Sequence, residues 1–188
     1  MNLSLRALTV ATMLSAASIG GAMAQDNPMV GGAAMYADKN IVENAVNSAD
    51  HTTLVAAVQA AGLVETLSGE GPFTVLAPVN AAFDALPAGT VETLLKPENK
   101  DTLATILACH VIPAKALSTD IVGMVEADGG EHVVDTVGGC KLTLKAENGG
   151  VTVTDENGTV ANVTVADVIQ SNGVIHVIDA VLTPASAM

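Results

Sequence analysis

Aromatic side chains are nearly absent from this chain. Tyrosine occurs once, phenylalanine twice and tryptophan not at all, although apolar residues make up 49% of the 188 positions. The interior must therefore be built from Val, Leu, Ile, Ala and Met. Aromatic platforms on which nucleic-acid bases or sugars could stack are scarce for the same reason.

Positive charge is also sparse. Seven Lys and Arg stand against 20 Asp and Glu, which gives a formal net charge of -13 at pH 7. Phosphate backbones and anionic lipid headgroups repel a chain of this charge. We therefore expect no nucleic-acid partner.

The one long apolar stretch lies near the amino end. Arg6 precedes an apolar stretch over residues 7–19, and Ala22 and Ala24 follow in the small-x-small spacing that signal peptidase recognises. The stretch is shorter than the roughly 20 uninterrupted apolar residues of a membrane-spanning helix. We predict a signal peptide over residues 1–24, a periplasmic or secreted product, and no membrane insertion after cleavage.

Cysteine occurs twice, at Cys109 and Cys140. A pair in an oxidising compartment is normally bridged, so we predict a disulfide between them. The alternatives are two buried free thiols and a redox-active pair. A redox-active pair would favour the Cys-x-x-Cys spacing, which is absent.

The order of periodic segments predicts an α+β fold. Helical signals dominate the first half and alternating strand patterns the second half, without the strand–helix alternation of a parallel fold. Residues 25–39 are a polar lead-in, either ordered or flexible. Helices are predicted from about Thr52 to Gly62 with Asp50 as cap, over 64–67, after a cap at Asn80, and over 100–108; strands are predicted at 73–76, 142–144, 151–153, 160–165 and 174–178.

Three blocks of sequence resemble the fasciclin domain. Residues 71–83 read Gly-Pro-Phe-Thr-Val-Leu-Ala-Pro-Val-Asn-Ala-Ala-Phe, residues 172–179 read Asn-Gly-Val-Ile-His-Val-Ile-Asp, and residues 107–113 resemble the Tyr-His-Val segment of the family. The resemblance implies a wedge-shaped β-sandwich over residues 40–185, with a helical bundle packed around its edge. The residues that match the structural motifs are Phe73, Pro78, Asn80, Phe83, Asn172, Gly173, His176 and Asp179.

The chain departs from the family pattern at three positions. Leu76 replaces the usual Phe, Val79 replaces the usual Thr, and Cys109 stands where Tyr is usual. A lone exchange of Tyr for Cys would leave a destabilising cavity. The simultaneous presence of Cys140 indicates that a covalent bond replaces the ring, which supports the disulfide.

The resemblance also implies where a partner would bind. Animal relatives are thought to bind integrins through Asp-Ile motifs ahead of the last block and through the Tyr-His segment. The matching residues are Asp167, Val168, Ile169 and His110. The alternative for Asp167 is an exposed or helix-capping aspartate.

Catalytic and metal-binding patterns are missing from the sequence. The histidines are scattered, and His110 and His176 lie in apolar surroundings, where we predict hydrogen-bonded core residues without metal, cofactor or enzymatic role. We therefore predict a non-enzymatic adhesion or protein-interaction module of a bacterial secreted protein, with a protein or matrix surface as partner. Alternatives are a periplasmic small-ligand-binding protein, which a deep cleft with ionisable groups would favour, and a structural secreted factor that forms a homo-oligomer.

Overall fold

A computed structural model describes residues 27–147 and 149–185. The signal peptide predicted over residues 1–24 lies outside the described residues. The helices are α1 (Ile41–Ala45), α2 (Thr52–Ala61), α3 (Val64–Ser68), α4 (Asn80–Asp84), α5 (Thr90–Leu94), α6 (Lys100–Ala108) and α7 (Ser118–Ala127), with 3-10 turns at Ala49–His51 and Pro97–Asn99. The strands are β1 (Met29–Val30), β2 (Ala33–Ala34), β3 (Phe73–Pro78), β4 (Val111–Ile112), β5 (His132–Asp135), β6 (Lys141–Glu147), β7 (Gly150–Thr154), β8 (Val160–Gln170) and β9 (Gly173–Ile178).

Strands β3 to β9 form one sheet in the order β4-β3-β9-β8-β7-β6-β5. Strand β3 runs parallel to β9, and the other neighbours are antiparallel. The chain beyond edge strand β5 returns to edge strand β4, where Val137 N–H donates to the Val111 carbonyl at 2.8 Å and Gly138 N–H to the Ala108 carbonyl at 3.0 Å. We call this junction the seam. The sheet therefore curls almost into a barrel, and the predicted α+β class is confirmed.

Two apolar clusters lie on opposite faces of the central strands. One fills the interior of the curled sheet, where Leu76 of β3 and Ile178 of β9 pack with side chains of β6 and β7 and with Ile121 of α7. The other lies between the outer face of β3 and β9, at Val75 and Ile175, and helices α1 to α6. The predicted arrangement, a β-sandwich with helices packed at its edge, corresponds to these two layers of packing.

The predicted helix α2 is confirmed, but its amino-terminal cap is not the expected one. Asp50 lies in a 3-10 turn instead of capping the helix. Asn80, expected to cap α4, accepts a hydrogen bond at 3.1 Å from the N–H of Thr53 in the first turn of α2 and donates one at 2.8 Å to the Ala49 carbonyl. Asn80 therefore caps a neighbouring helix from a distance. Gly62 ends α2 in a left-handed conformation with φ 74°, as predicted.

The described part of the lead-in, residues 27–39, is ordered. Strands β1 and β2 pair as a short hairpin, and Val30 and Met35 are buried in the helical cluster. The lead-in therefore packs against the helices of the predicted domain, residues 40–185. Within the described residues, no helix has the length and apolarity required to cross a membrane.

Candidate functional site

The first and last of the blocks that resemble the fasciclin domain lie on two adjacent strands, β3 and β9. The parallel pairing of β3 with β9 sets Phe73 opposite Gly173 and Val75 opposite Ile175. The blocks that resemble the fasciclin signatures are thus neighbours in one interior. The dipeptide before β3, at residues 71–72, and Asn172 before β9 lie side by side at the amino ends of both strands.

Asn172 holds this end of the molecule together. Its side-chain oxygen accepts the N–H of Ile41 at 3.1 Å, and its amide nitrogen donates to the carbonyls of Leu67 at 2.8 Å and Gly69 at 3.0 Å. Its own carbonyl accepts the N–H of Phe73 at 3.1 Å. One side chain therefore fastens the start of α1 and the end of α3 to the central strands.

An open cleft of about 550 Å³ surrounds Asn172. We call it the end cleft; it is lined by Asn40, Glu43, residues 68–72, Lys115 and residues 170–173. The lining combines polar side chains with three glycines, and it includes Lys115 as well as the acidic residues Glu43 and Glu70. Such a shallow surface of mixed charge suits contact with another polar surface better than enclosure of a small molecule.

Asp167 joins strand β8 to the start of helix α7. It is the one non-glycine residue with positive φ, 58°, among the described residues, and it lies where the register between β8 and β9 shifts. Its carboxylate accepts the N–H of Ser118 at 2.6 Å and also the Ser118 hydroxyl. Since Ser118 is the first residue of α7, Asp167 is a helix cap supplied by a distant strand.

His176 secures the segment that precedes α7. Its Nε2 donates to the Ala116 carbonyl at 2.9 Å, and its Nδ1 accepts the N–H of Asp167 at 3.3 Å. Burial lowers the pKa of His176, while the hydrogen bond to Ala116 and the charge of Asp167 act in the opposite direction. Thr74 adds a bond to the Ala114 carbonyl at 2.6 Å. These contacts place the exposed Lys115 at the end cleft.

His110 is a buried structural residue. Its Nδ1 donates to the Ile106 carbonyl at 2.8 Å, and its Nε2 accepts the N–H of Leu182 at 2.9 Å. Burial lowers its pKa from 6.5 to about 4, although the bond to Ile106 and the charge of Asp155 raise it. The prediction of hydrogen-bonded core histidines at His110 and His176 is confirmed.

The expectation of direct partner contact is corrected for two of the four candidate residues. His110 is 2% exposed and Val168 0% exposed, so neither side chain can contact a partner. Ile169 is 42% exposed and Asp167 is partly exposed, so these two remain accessible. Lys115 and Ser118 were not selected from the sequence. A helix start at Ser118 could have been inferred from the buried Ile121 and Val125 that follow it at helical spacing.

The remaining motif residues also stabilise the fold. Asp179 accepts the backbone N–H of Asn162 at 2.7 Å and its side-chain amide at 2.8 Å, which joins the end of β9 to β8. Phe83 and Pro78 are buried, and Phe73 is partly buried. Within residues 27–147 and 149–185, no three His, Cys, Asp or Glu side chains are grouped so that they could hold a metal ion.

The predicted disulfide is present at the seam. Cys109 and Cys140 are bonded, with their Cα atoms 5.4 Å apart, and their side chains are buried. Cys109 lies just before edge strand β4, and Cys140 follows the turn after edge strand β5. The bond therefore reinforces the junction that the backbone hydrogen bonds of Val137 and Gly138 form.

Replacing Asp167 tests its capping role. Asp167→Ala should lower the free energy of unfolding by about 2 kcal/mol, because it leaves the Ser118 groups without their acceptor and places alanine at positive φ. Asp167→Asn is the matched control, since asparagine tolerates the left-handed region and still offers an oxygen. Urea unfolding measures both; equal midpoints for the two variants would contradict the role.

His110 should make stability depend on pH. Below pH 6.5 the unfolded chain takes up a proton on this ring, whereas the folded chain does not until about pH 4. Because the unfolded state then binds more protons, stability falls as the pH drops through this window, by about 2 to 3 kcal/mol between pH 7 and 4.5.

Urea unfolding of the wild type and of His110→Gln at both pH values isolates this contribution, because the carboxylates titrate in both proteins. The variant should lose less stability on acidification than the wild type by that amount. Val133→Gln, an exposed position of strand β5 that carries no titratable group, should keep the wild-type difference. Identical pH dependence in the wild type and His110→Gln would refute the assignment.

Solved structures and protein families that resemble this chain identify its fold and its family. The solved FAS1 domain pair of the insect cell adhesion molecule Fasciclin I superposes with a TM-score of 0.53 at 25% identity, over 67% of this chain and 42% of that chain. The molecule thus has the FAS1 fold. The family model of the fasciclin domain matches residues 49–184. The chain belongs to the fasciclin domain family.

Similar proteins occur in bacteria and animals. Protein sll1483 of Synechocystis sp. is 49% identical over 160 residues, which cover 85% of this chain and 82% of that protein. Immunogenic protein MPB70 of Mycobacterium bovis is 34% identical over 74% of this chain and 66% of its own length. Transforming growth factor-beta-induced protein ig-h3 of Sus scrofa is 42% identical over 70% of this chain, which spans 17% of that relative.

Proposed function

We propose that this domain is a non-enzymatic interaction module that binds a protein or matrix surface outside the cytoplasm. The observation that carries the proposal is the end cleft, an open surface of mixed charge built where the two fasciclin blocks meet. The FAS1 domains to which the chain is similar belong to a cell adhesion molecule. The signal-peptide pattern of residues 1–24 and the disulfide support a periplasmic or secreted location.

The state of the motif histidines supports a role without catalysis. Both ring nitrogens of His110 and of His176 are engaged by backbone groups. The carboxylate of Asp167 is held by Ser118. A general base needs a nitrogen or oxygen free to accept a proton from a substrate, and these groups use theirs to hold the fold.

The accessible residues near the end cleft define the binding surface. Ile169 is an exposed aliphatic side chain on β8 that directly precedes Gln170 of the cleft lining; successive strand residues point to opposite faces, so Ile169 lies outside the cleft lining. Gln170 is hydrogen bonded to Asn44, which also binds the backbone of Tyr36, an exposed aromatic residue. Together with Lys115, these side chains offer the apolar and charged contacts from which protein interfaces are built.

Adhesion of protein-coated beads tests the proposal. Beads carrying the purified protein should be retained on cells of the producing organism, and the double variant Ile169→Glu with Lys115→Glu should reduce retention at least tenfold. Val133→Glu is the control, because Val133 is 53% exposed on strand β5, away from the end cleft. Equal retention of all three proteins would overturn the assignment of the surface. Bead clustering without cells would identify a second copy of the chain as the partner.

A further inference from the structure

A second cavity lies on the helical side of the molecule, apart from the end cleft. It has a volume of about 340 Å³ and is lined by residues of α4, α5 and α6 together with His110 and Val181. We call it the helix cavity. It shares no lining residue with the end cleft, so its role is independent of the proposed interaction surface.

The lining of the helix cavity is free of formal charge. Phe83, Leu94 and Leu103 are typical of its apolar wall, and none of its lining residues is Asp, Glu, Lys or Arg. This is notable in a chain with 20 acidic residues and a net charge of -13. His110 adds no charge near neutral pH, since its pKa lies at about 4. An ionised ligand would lose its hydration here without gaining a partner.

The cavity is too large to be an ordinary packing defect. Protein interiors contain few voids larger than one water molecule, and an engineered apolar cavity of about 150 Å³ already binds benzene. The helix cavity exceeds that volume about twofold and reaches the size range of ligand sites, which begins at roughly 300 Å³. By contrast, the neighbouring apolar cavity between α2 and α3 measures about 40 Å³.

One wall of the cavity is suited to admit a ligand. Helix α5 has five residues and no fully buried side chain; Val91 and Leu94 are only partly buried against the helical cluster, so fewer contacts hold α5 than hold α4 or α6. Gly89 precedes it in a left-handed conformation with φ 84°. The opposite wall is firmly held, because Val181 is followed by Leu182, which is bonded to His110, and by Thr183, whose N–H donates to Asp155 at 2.9 Å.

We propose that the helix cavity binds an uncharged, largely apolar small molecule, with an aromatic ring or a medium-length alkyl chain among the aliphatic side chains. Polar atoms of such a ligand would lie toward the threonine hydroxyls of Thr90 and Thr159 at the cavity lining. Its affinity comes from apolar burial and is insensitive to salt.

The fluorescence of the uncharged probe N-phenyl-1-naphthylamine tests the site on the purified protein. The probe should bind saturably, and 1-octanol should displace it, whereas octanoate should displace it at least tenfold less well. Thr90→Trp, which fills the cavity from α5, should weaken probe binding at least tenfold. Val133→Trp, at an exposed position of β5, should leave it unchanged.

Three results would overturn the proposal: no saturable binding, equal binding by Thr90→Trp and Val133→Trp, or equal displacement by octanol and octanoate. Leu86→Arg places a charge in the lining and should also abolish binding, which keeps the test decisive if Thr90→Trp does not fold. The double variant at Ile169 and Lys115 should retain full probe binding. The experiments therefore distinguish a failure of the ligand-binding proposal from a failure of the proposed interaction surface.

Discussion

Gly173→Ala should abolish stable folding. A Cβ atom at this position would lie 2.1 Å from the carbonyl oxygen of Phe73 and 2.9 Å from its carbonyl carbon. Both atoms belong to the backbone of the parallel partner strand β3, so no side-chain rotation relieves the overlap. We expect a loss of at least about 4 kcal/mol of unfolding free energy, which exceeds the effect of most substitutions.

The measurement is urea unfolding followed by circular dichroism, with Gly123→Ala as the matched control. A Cβ atom at Gly123, in helix α7, meets nothing within 4 Å. That substitution should raise stability by up to about 1 kcal/mol through helix propensity. A Gly173→Ala protein with the wild-type urea midpoint would contradict the prediction. It would show that β3 and β9 can move apart far enough to accommodate the added methyl group.

Removing the disulfide should have the second largest effect. The bond closes a loop with a sequence separation of 31, for which the chain-entropy treatment gives about 3 to 4 kcal/mol. The double variant Cys109→Ser with Cys140→Ser should therefore unfold at lower urea. Non-reducing mass spectrometry of the purified protein should find no free thiol.

Reductant distinguishes this effect from a packing defect. It should lower the unfolding midpoint of the wild type and leave that of the double variant unchanged. Because the bond reinforces the seam, reduction should also speed hydrogen exchange at the amides of Val137 and Gly138, which donate across it. A reduced wild type as stable as the oxidised one would disprove the contribution of the bond.

Local signals account for what could be predicted from the sequence. Helix α6 was predicted with its observed bounds because Leu103, Ile106 and Leu107 recur at helical spacing. The hairpin between β6 and β7 follows from strict alternation of apolar and polar residues on both sides of a glycine turn. Helix α7 carries the same kind of pattern and was not predicted.

Contacts between distant residues account for what could not be predicted. Asp167 caps a helix whose first residue is 49 positions away, and Asn80 bonds Thr53 across 27 positions. The sequence shows that such side chains can form capping hydrogen bonds, but it does not show which distant backbone group each of them binds. His110 was assigned two roles, as a core residue and as a partner contact, and the burial of its ring decides between them.

The parallel pairing of β3 with β9 has a consequence for how the protein is made. Phe73 and Gly173 are one hundred positions apart, yet they lie side by side in adjacent strands. A nascent chain whose last strand has not yet been synthesised lacks the partner of β3, and closing so long a loop is slow. The polypeptide should therefore stay unfolded until synthesis is nearly complete, because its last strand supplies the parallel partner of β3.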